Sequence, residues 1–500
     1  GGDIKQIGVS LPETLIVAGG LAVSDPAHLI TYGGGNLLVQ AGGNLLSSDF
    51  LVGLGSGRIK ACGTISADPT SSVSAALVTG NSNATAKSAN TSPTLKPLDM
   101  ILGVQNGFIS ATAGGSINLL SVYDPAQLAV VSGASTTLPG GAASTSSSWM
   151  GTPFTSYGAQ SGISLTAVSG DVTIATAAAS AVVAKGGTVT GSSVPSSTVQ
   201  GLYPATLDVS ALNGSIVVGA AGSQQITLVP IRSSTGSSTG TLSLRAAQSI
   251  NVGIGTTLSM LDLATGAAGK FVHSGVTAPM NYINPLGQAF ADLTQALHAN
   301  DPVPVIIAAG QDIVIGSAGK VSLIKPADMT AGNNILSELT VTSAVDGVPQ
   351  ANAGTASITF QNNSPGDVSS LIAGNSIIGG AYVIYGPGSW LIQAGRNIGP
   401  LRQSPGQNGY AGMVAAGNGT NYGTNADPQL QGQLVKYLPN QSADIYVMAG
   451  VKPQRVDYAA VVAEYVDPAR SGTSGIDLLR LIAAKLNDGI NPVNSCQGME

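Results

Sequence analysis

Residues able to do chemistry are few and scattered along this chain. The imidazoles are His28, His273 and His298, and no two of them fall at a metal-ligand spacing. They read as surface or capping histidines, and no metal site is expected. A Gly-x-Ser-x-Gly match occurs at Gly236-Ser237-Ser238-Thr239-Gly240. A nucleophile elbow needs a strand before the serine and a helix after it, to strain the turn. This match lies inside a Ser/Thr/Gly run, so no catalytic serine is assigned. The best cluster of charged groups is Asp312, Lys320, Lys325 and Asp328. Carboxylates and lysines on one long face are what a polysaccharide lyase or hydrolase uses to move protons. Asp312, however, occupies a turn, where an aspartate caps backbone amides. Glutamates occur only at Glu13, Glu338, Glu464 and Glu500, so a paired-carboxylate site is not expected.

Two further groups remain. Tyr382, Tyr385 and Trp390 could stack on sugar rings and are the candidate carbohydrate or partner contact, but they sit among repeat strands, so core or strand-face packing is the favoured reading. Cys62 and Cys496 lie far apart and match no zinc or disulfide framework, so they are expected to be unpaired thiols. Gly53-x-Gly55-x-Gly57 and Gly386-x-Gly388 are too short for nucleotide loops. No cofactor is expected.

Composition points to the elements that carry these residues. Charged residues are 9% of the 500, against ~25% in an ordinary soluble domain. Net charge is −6 and mean hydropathy +0.29, which excludes a disordered chain. Nineteen cations spread over the whole chain cannot make a nucleic-acid surface. No apolar run is long enough for a membrane-spanning helix. Gly is abundant at 67 residues, while aromatics are only 4%. This balance suits a stack of short strands joined by tight turns.

A phrase recurs that fits such a stack: a small pair, a polar residue, then two to four apolar residues. Examples are Ala41-Gly42-Gly43-Asn44-Leu45-Leu46, Ala309-Gly310-Gln311-Asp312-Ile313-Val314-Ile315, Ala331-Gly332-Asn333-Asn334-Ile335-Leu336 and Ala373-Gly374-Asn375-Ser376-Ile377-Ile378. Neighbouring apolar runs are too close together to leave room for a helix. Glycine is expected to supply positive φ at each corner. The fold class is therefore all-β, a right-handed parallel β-helix (β-solenoid) over residues 1–445. At ~20–25 residues per coil it would have ~12–15 coils and be roughly 60–70 Å long.

Long loops are expected near 66–98, 132–160, 176–203, 231–241 and 402–441. A helix-containing insertion is expected at 260–304, capped by Asn284 and ended at Asp301-Pro302. Residues 446–500 read as a helical capping segment, with Ile476, Leu479, Ile482 and Leu486 on one helix face. The start at Gly1-Gly2-Asp3, with no initiator Met or signal-like segment, suggests a piece of something longer.

The longer phrases carry a resemblance. They include Gly2-Asp3-Ile4 through Ser10-Leu11-Pro12, and Tyr203-Pro204-Ala205-Thr206-Leu207-Asp208-Val209 followed by Leu212-Asn213-Gly214-Ser215-Ile216. Further on come Asn363-Ser364-Pro365-Gly366-Asp367-Val368-Ser369-Ser370 and Ala443-Asp444-Ile445-Tyr446-Val447 before Tyr465-Val466-Asp467-Pro468. In this order they resemble the β-helical shaft of filamentous haemagglutinin-type exoproteins, the adhesins of two-partner secretion. The likeness is to the C-terminal region of the proteobacterial family. It implies a non-catalytic, secreted or cell-surface adhesive segment, exported with an outer-membrane secretion partner and meeting a host-cell, matrix or glycan ligand. A subunit of a self-assembling homo-multimeric fibre or sheath is the alternative, and a β-helical polysaccharide-acting enzyme a second.

Overall fold

The computed structural model describes residues 1–11, 13–17, 29–68, 72–73, 96–97, 100–119, 121–123, 136–137, 143–144, 157–158, 160–176, 201–219, 224–229, 240–260, 271–273, 276–278, 298, 301–337, 341–345, 348–351, 356–401, 412–417 and 438–451. Among them there are strands and no helix. The helices expected within 260–304 and 446–500 lie outside the described residues. So do the side chains of His28 and His273, and the Gly236–Thr239 part of the serine match.

The strands stack into three parallel sheets of 11, 13 and 7 strands, and the chain is a parallel β-helix. One coil shows the plan. Val305–Ala309 lies on a long wall, Ile313–Ile315 on a short wall and Lys320–Ser322 on a third wall. The chain then returns as Ala327–Ala331, paired in parallel with Val305–Ala309. Near the N-terminus the third and long walls merge. Asp49–Ala61 pairs through its start with Gly8–Leu11 and through its end with Leu37–Ala41.

Alternation explains the walls. Long-wall strands show buried residues at every second place, as in Val305, Ile307 and Ala309. In-register stacking turns these into columns. Every long-wall strand ends on alanine: Ala41, Ala61, Ala113, Ala167, Ala211, Ala246, Ala309, Ala331, Ala373, Ala394 and Ala449 lie in a single column. All but the last are buried. The next inward position, across the corner, is β-branched in most coils, including Ile117, Ile216, Ile250, Ile313 and Ile335. A small residue facing a branched one fills the narrow apex without strain.

The same corner carries a polar ladder. In most coils the residue just before or at the start of the short-wall strand donates its backbone N–H to a side-chain oxygen of its counterpart one coil back. Asp3 accepts from Asn44 N–H at 2.7 Å, and Asn44 from Thr64 N–H at 2.9 Å. Asp171 accepts from Ser215 N–H at 2.7 Å, and Ser249 from Asp312 N–H at 3.3 Å. Asp312 accepts from Asn334 N–H at 2.9 Å, and Asn334 from Ser376 N–H at 3.2 Å. These bonds satisfy amides that the turn would otherwise leave unpaired.

The corner glycines differ from expectation. Positive φ occurs at Gly219, Gly379, Gly386 and others, but not at Gly310, Gly332 or Gly374 of the repeat phrase. Those three are required by close stacking. A Cβ on Gly332 would overlap the carbonyl oxygen of Gly310, and one on Gly374 that of Gly332. Backbone approach, not backbone conformation, selects glycine there.

The described coils number eleven, one for each alanine named above, giving a stack of about 50 Å at the usual strand spacing. Two antiparallel hairpins, not set apart by the repeat spacing, lie outside the walls. These are Glu13–Val17 with Leu29–Gly33, and Val341–Val345 with Val348–Ala351. The β-helix also runs past the expected boundary at 445, because Asp444–Ala449 pairs with Ser389–Ala394. Cys62 is disulfide-bonded, against the expectation of unpaired thiols; its partner lies outside the described residues.

Gly332→Ala is expected to cost about 1–3 kcal/mol, because the overlap must be relieved by shifting two coils. Gly366→Ala meets nothing within 4 Å and should change stability by less than ~0.5 kcal/mol. Urea melts of the two variants check this, and equal destabilisation would contradict the stacking.

Candidate functional site

The richest chemistry among the described residues sits where the insertion at 261–304 rejoins the coils. Asp301-Pro302 and Lys325-Pro326 each place a charged residue before a proline, which favours an extended backbone at the corner. The two side chains meet. Lys325 Nζ lies 2.5 Å from Asp301 Oδ2 and donates also to the carbonyl of Gly240 at 3.0 Å. His298 Nδ1 lies 3.1 Å from the same Oδ2. Val303 N–H donates to Asp301 Oδ1 at 3.1 Å. Side-chain exposure is 1% for His298, 4% for Asp301 and 0% for Lys325.

The electrostatics follow from burial. Desolvation pushes the Asp301 carboxyl up. Hydrogen bonds from His298, Lys325 and Val303, with the lysine charge, outweigh it and hold the group at about 2. Desolvation lowers Lys325, and Asp301 opposes that shift. Because the partner of His298 Nδ1 is a carboxylate, that nitrogen carries the proton. Nε2 is buried and has no hydrogen-bond partner.

A second polar network continues from this corner. Asn363 donates through Nδ2 to the carbonyls of His298 and Ile324, both at 3.3 Å. Asp367 accepts from the backbone N–H groups of Asn363 and Ser364. Buried Asn362 donates to the carbonyls of Asp367 and Ser389 and accepts from Ser369 Oγ at 2.8 Å. These bonds fasten the turn between third and long walls, and none of them points to a substrate.

The candidates read from sequence fare differently. Asp312, Lys320, Lys325 and Asp328 do not converge. Asp312 is a corner-ladder acceptor, and Lys320 is on the third wall. Lys325 is in the buried corner, and Asp328 on the long wall accepts from Ser370 Oγ at 2.8 Å. Tyr382, Tyr385 and Trp390 are core residues, with exposures of 0%, 7% and 0%, and they offer no face to a sugar. Trp390 packs at 5.4 Å and 49° against Phe360. In the column of Trp390 the two preceding coils carry only Ser369 and Ala327, which leaves space for the indole. Among the described residues no group of three His, Cys, Asp or Glu side chains could hold a metal ion.

Sequence reasoning missed the Asp301–His298–Lys325 group. It took Asp301 as a helix stop and His298 as a surface or capping residue. The available signal was the pair of charged residue–proline dipeptides at the two ends of one coil.

Comparison with known proteins adds no relative: no protein-family model, curated protein or solved structure matches the chain.

Asp301→Ala should cost about 3–5 kcal/mol, because it leaves Lys325 buried without its partner. Asp312→Ala should cost about 1–2 kcal/mol, since it strips the acceptor from the Asn334 N–H at a half-exposed corner. Chemical denaturation of both variants measures the difference. A milder effect at Asp301 than at Asp312 would contradict this ranking.

Proposed function

We propose that the chain is a non-catalytic structural or adhesive segment of a secreted or cell-surface exoprotein. The observation that carries the reading is where the insertions leave the coils. Breaks at 69–99, 177–200, 338–355 and 402–411 fall between the short and third walls. Those at 124–156, 230–239, 261–304 and 418–437 fall between the third and long walls. At the corner with the polar ladder, every described coil turns within four residues. Such a rod holds variable segments along two edges while its core stays continuous. The buried or structural placement of the candidate catalytic groups supports the same reading. Bacterial surface location, an outer-membrane secretion partner and a host-cell, matrix or glycan ligand enter the proposal through the sequence resemblance. No helix among the described residues is long and apolar enough to cross a membrane.

One observation favours the fibre reading as a second. On Asp444–Ala449, the last strand among the described residues, the inward residues Ile445 and Val447 are exposed by 36% and 53%, and Tyr446 by 54%. An open strand edge with apolar residues is a template for another chain.

The test compares the chain with a variant whose 124–156 and 177–200 insertions are replaced by short Gly/Ser links. Each is assayed on immobilised glycans, matrix proteins and cultured cells. Saturable binding that falls at least ~10-fold in the variant, at unchanged melting temperature, is expected; that drop corresponds to about 1.4 kcal/mol. Binding that survives the trimming, or release of reducing sugar from a polysaccharide, would contradict the proposal.

A further inference from the structure

The buried corner brings together the parts of an amide-forming reaction. Lys325 Nζ and Asp301 Oδ2 are 2.5 Å apart, and both side chains are almost wholly shielded from solvent. A buried ammonium has three hydrogens to place. Lys325 meets two acceptors, Gly240 O and Asp301 Oδ2. Keeping a charged pair in this setting is costly, and a neutral product would remove both charges at once.

We propose that Lys325 and Asp301 form an intramolecular isopeptide bond, with His298 as the hydrogen-bond donor that holds the leaving oxygen. One proton passes from Nζ to Oδ2 along the hydrogen bond between them, giving a neutral amine and a carboxylic acid. The Nζ lone pair attacks Asp301 Cγ, and a C–N bond forms. Val303 N–H, 3.1 Å from Oδ1, faces the oxyanion that develops there. The second Nζ proton passes directly to Oδ2, 2.5 Å away, while His298 Nδ1–H stays hydrogen-bonded to that oxygen and supports it as the leaving group. The Cγ–Oδ2 bond breaks, and Oδ2 leaves as water with both protons. No oxidant or cofactor is consumed.

The product keeps its hydrogen bonds. The remaining N–H still faces Gly240 O, and the new carbonyl oxygen, the former Oδ1, still accepts from Val303 N–H. The surroundings are apolar: Val305, Leu323, Ile324 and Ala327 flank the two residues in sequence and are buried. Asp301 precedes one long-wall strand and Lys325 the next, so the bond would tie a single coil into a closed ring. It would fix the root of the 261–304 insertion to the rod. This inference stands apart from the adhesive reading and needs only the corner geometry.

Mass spectrometry of the reduced, denatured full chain tests it. The expected mass is below the sequence mass by one water. Trypsin cuts after Lys270, Lys320 and Arg396, so an unlinked chain yields 271–320 and 321–396 as separate peptides. A linked chain yields one branched species containing both. The branched species also separates this reaction from a succinimide, which loses water without joining peptides. Asp301 itself cannot form a succinimide, since Pro302 lacks an N–H. Lys325→Met should abolish the branched peptide, and His298→Gln, which keeps both reacting groups, should slow its appearance after refolding. Full mass with two separate peptides in the native sequence would overturn the proposal, as would a branched peptide that persists in Lys325→Met.

Discussion

Close approach of successive backbones at one corner governs this molecule. Where the long wall turns into the short wall, carbonyl oxygens of one coil sit where a Cβ of the next would have to lie, as at Gly310 under Gly332 and Gly332 under Gly374. The same closeness lets a short side chain, Asp312 or Asn334, reach the amide of the following coil. It also explains the alanine column, because a larger residue at Ala331 or Ala373 would push the two walls apart at their narrowest point. Glycine, a short acceptor, alanine and a branched apolar residue are four consequences of one spacing. The other two corners also bring backbones close, as at Gly379 over Ser337 and Gly386 over Asn362, but they lack the ladder of short side-chain acceptors, and the breaks between the described coils fall there.

The third-to-long corner solves a different problem. Two of its described turns bury polar side chains, Lys325 in one and Asn362 beside Ser369 in the other, and these must find partners inside the protein. Asn362, Asn363, Ser369 and Asp367 do this with neutral and charge-assisted hydrogen bonds to backbone. Asp301, His298 and Lys325 do it with ionisable groups. A buried ion pair is a poor source of stability compared with apolar packing. Its presence beside the long insertion therefore calls for another account, and covalent closure of the coil supplies one. For an extended rod this has a mechanical consequence, since pulling on the insertion would load a covalent ring instead of the coil stack.

The β-helix was legible in the sequence because stacking writes a repeated phrase. A small pair and a short polar residue followed by an apolar run, as in Ala309-Gly310-Gln311-Asp312-Ile313, records the corner, and the short spacing between runs excludes helices. What glycine does there was not legible, because composition does not distinguish a residue chosen for φ from one chosen for closeness. The place of the aromatic trio among repeat strands already favoured packing over sugar contact, but did not show which face it takes. Tyr382 and Trp390 stand in strands whose alternate faces point in and out, and only the register with Ala327, Ser369 and Phe360 shows them inside. The Asp301–Lys325 pair was hidden because its members stand 24 residues apart at the two ends of one coil and meet only when that coil closes. The hairpins at 13–33 and 341–351 escaped because antiparallel strands use the same β-branched residues as the coils.

The central claim is that coil stacking at the ladder corner tolerates no added chain, while the third-to-long corner does. Thermal unfolding by circular dichroism of two variants tests it directly. One carries a six-residue Gly/Ser insertion between Asn333 and Asn334, and the other the same insertion within 418–437. The account predicts loss of the cooperative transition, or a fall in melting temperature of more than ~5 °C, for the first and a shift of less than ~2 °C for the second. Equal melting temperatures for the two would contradict it.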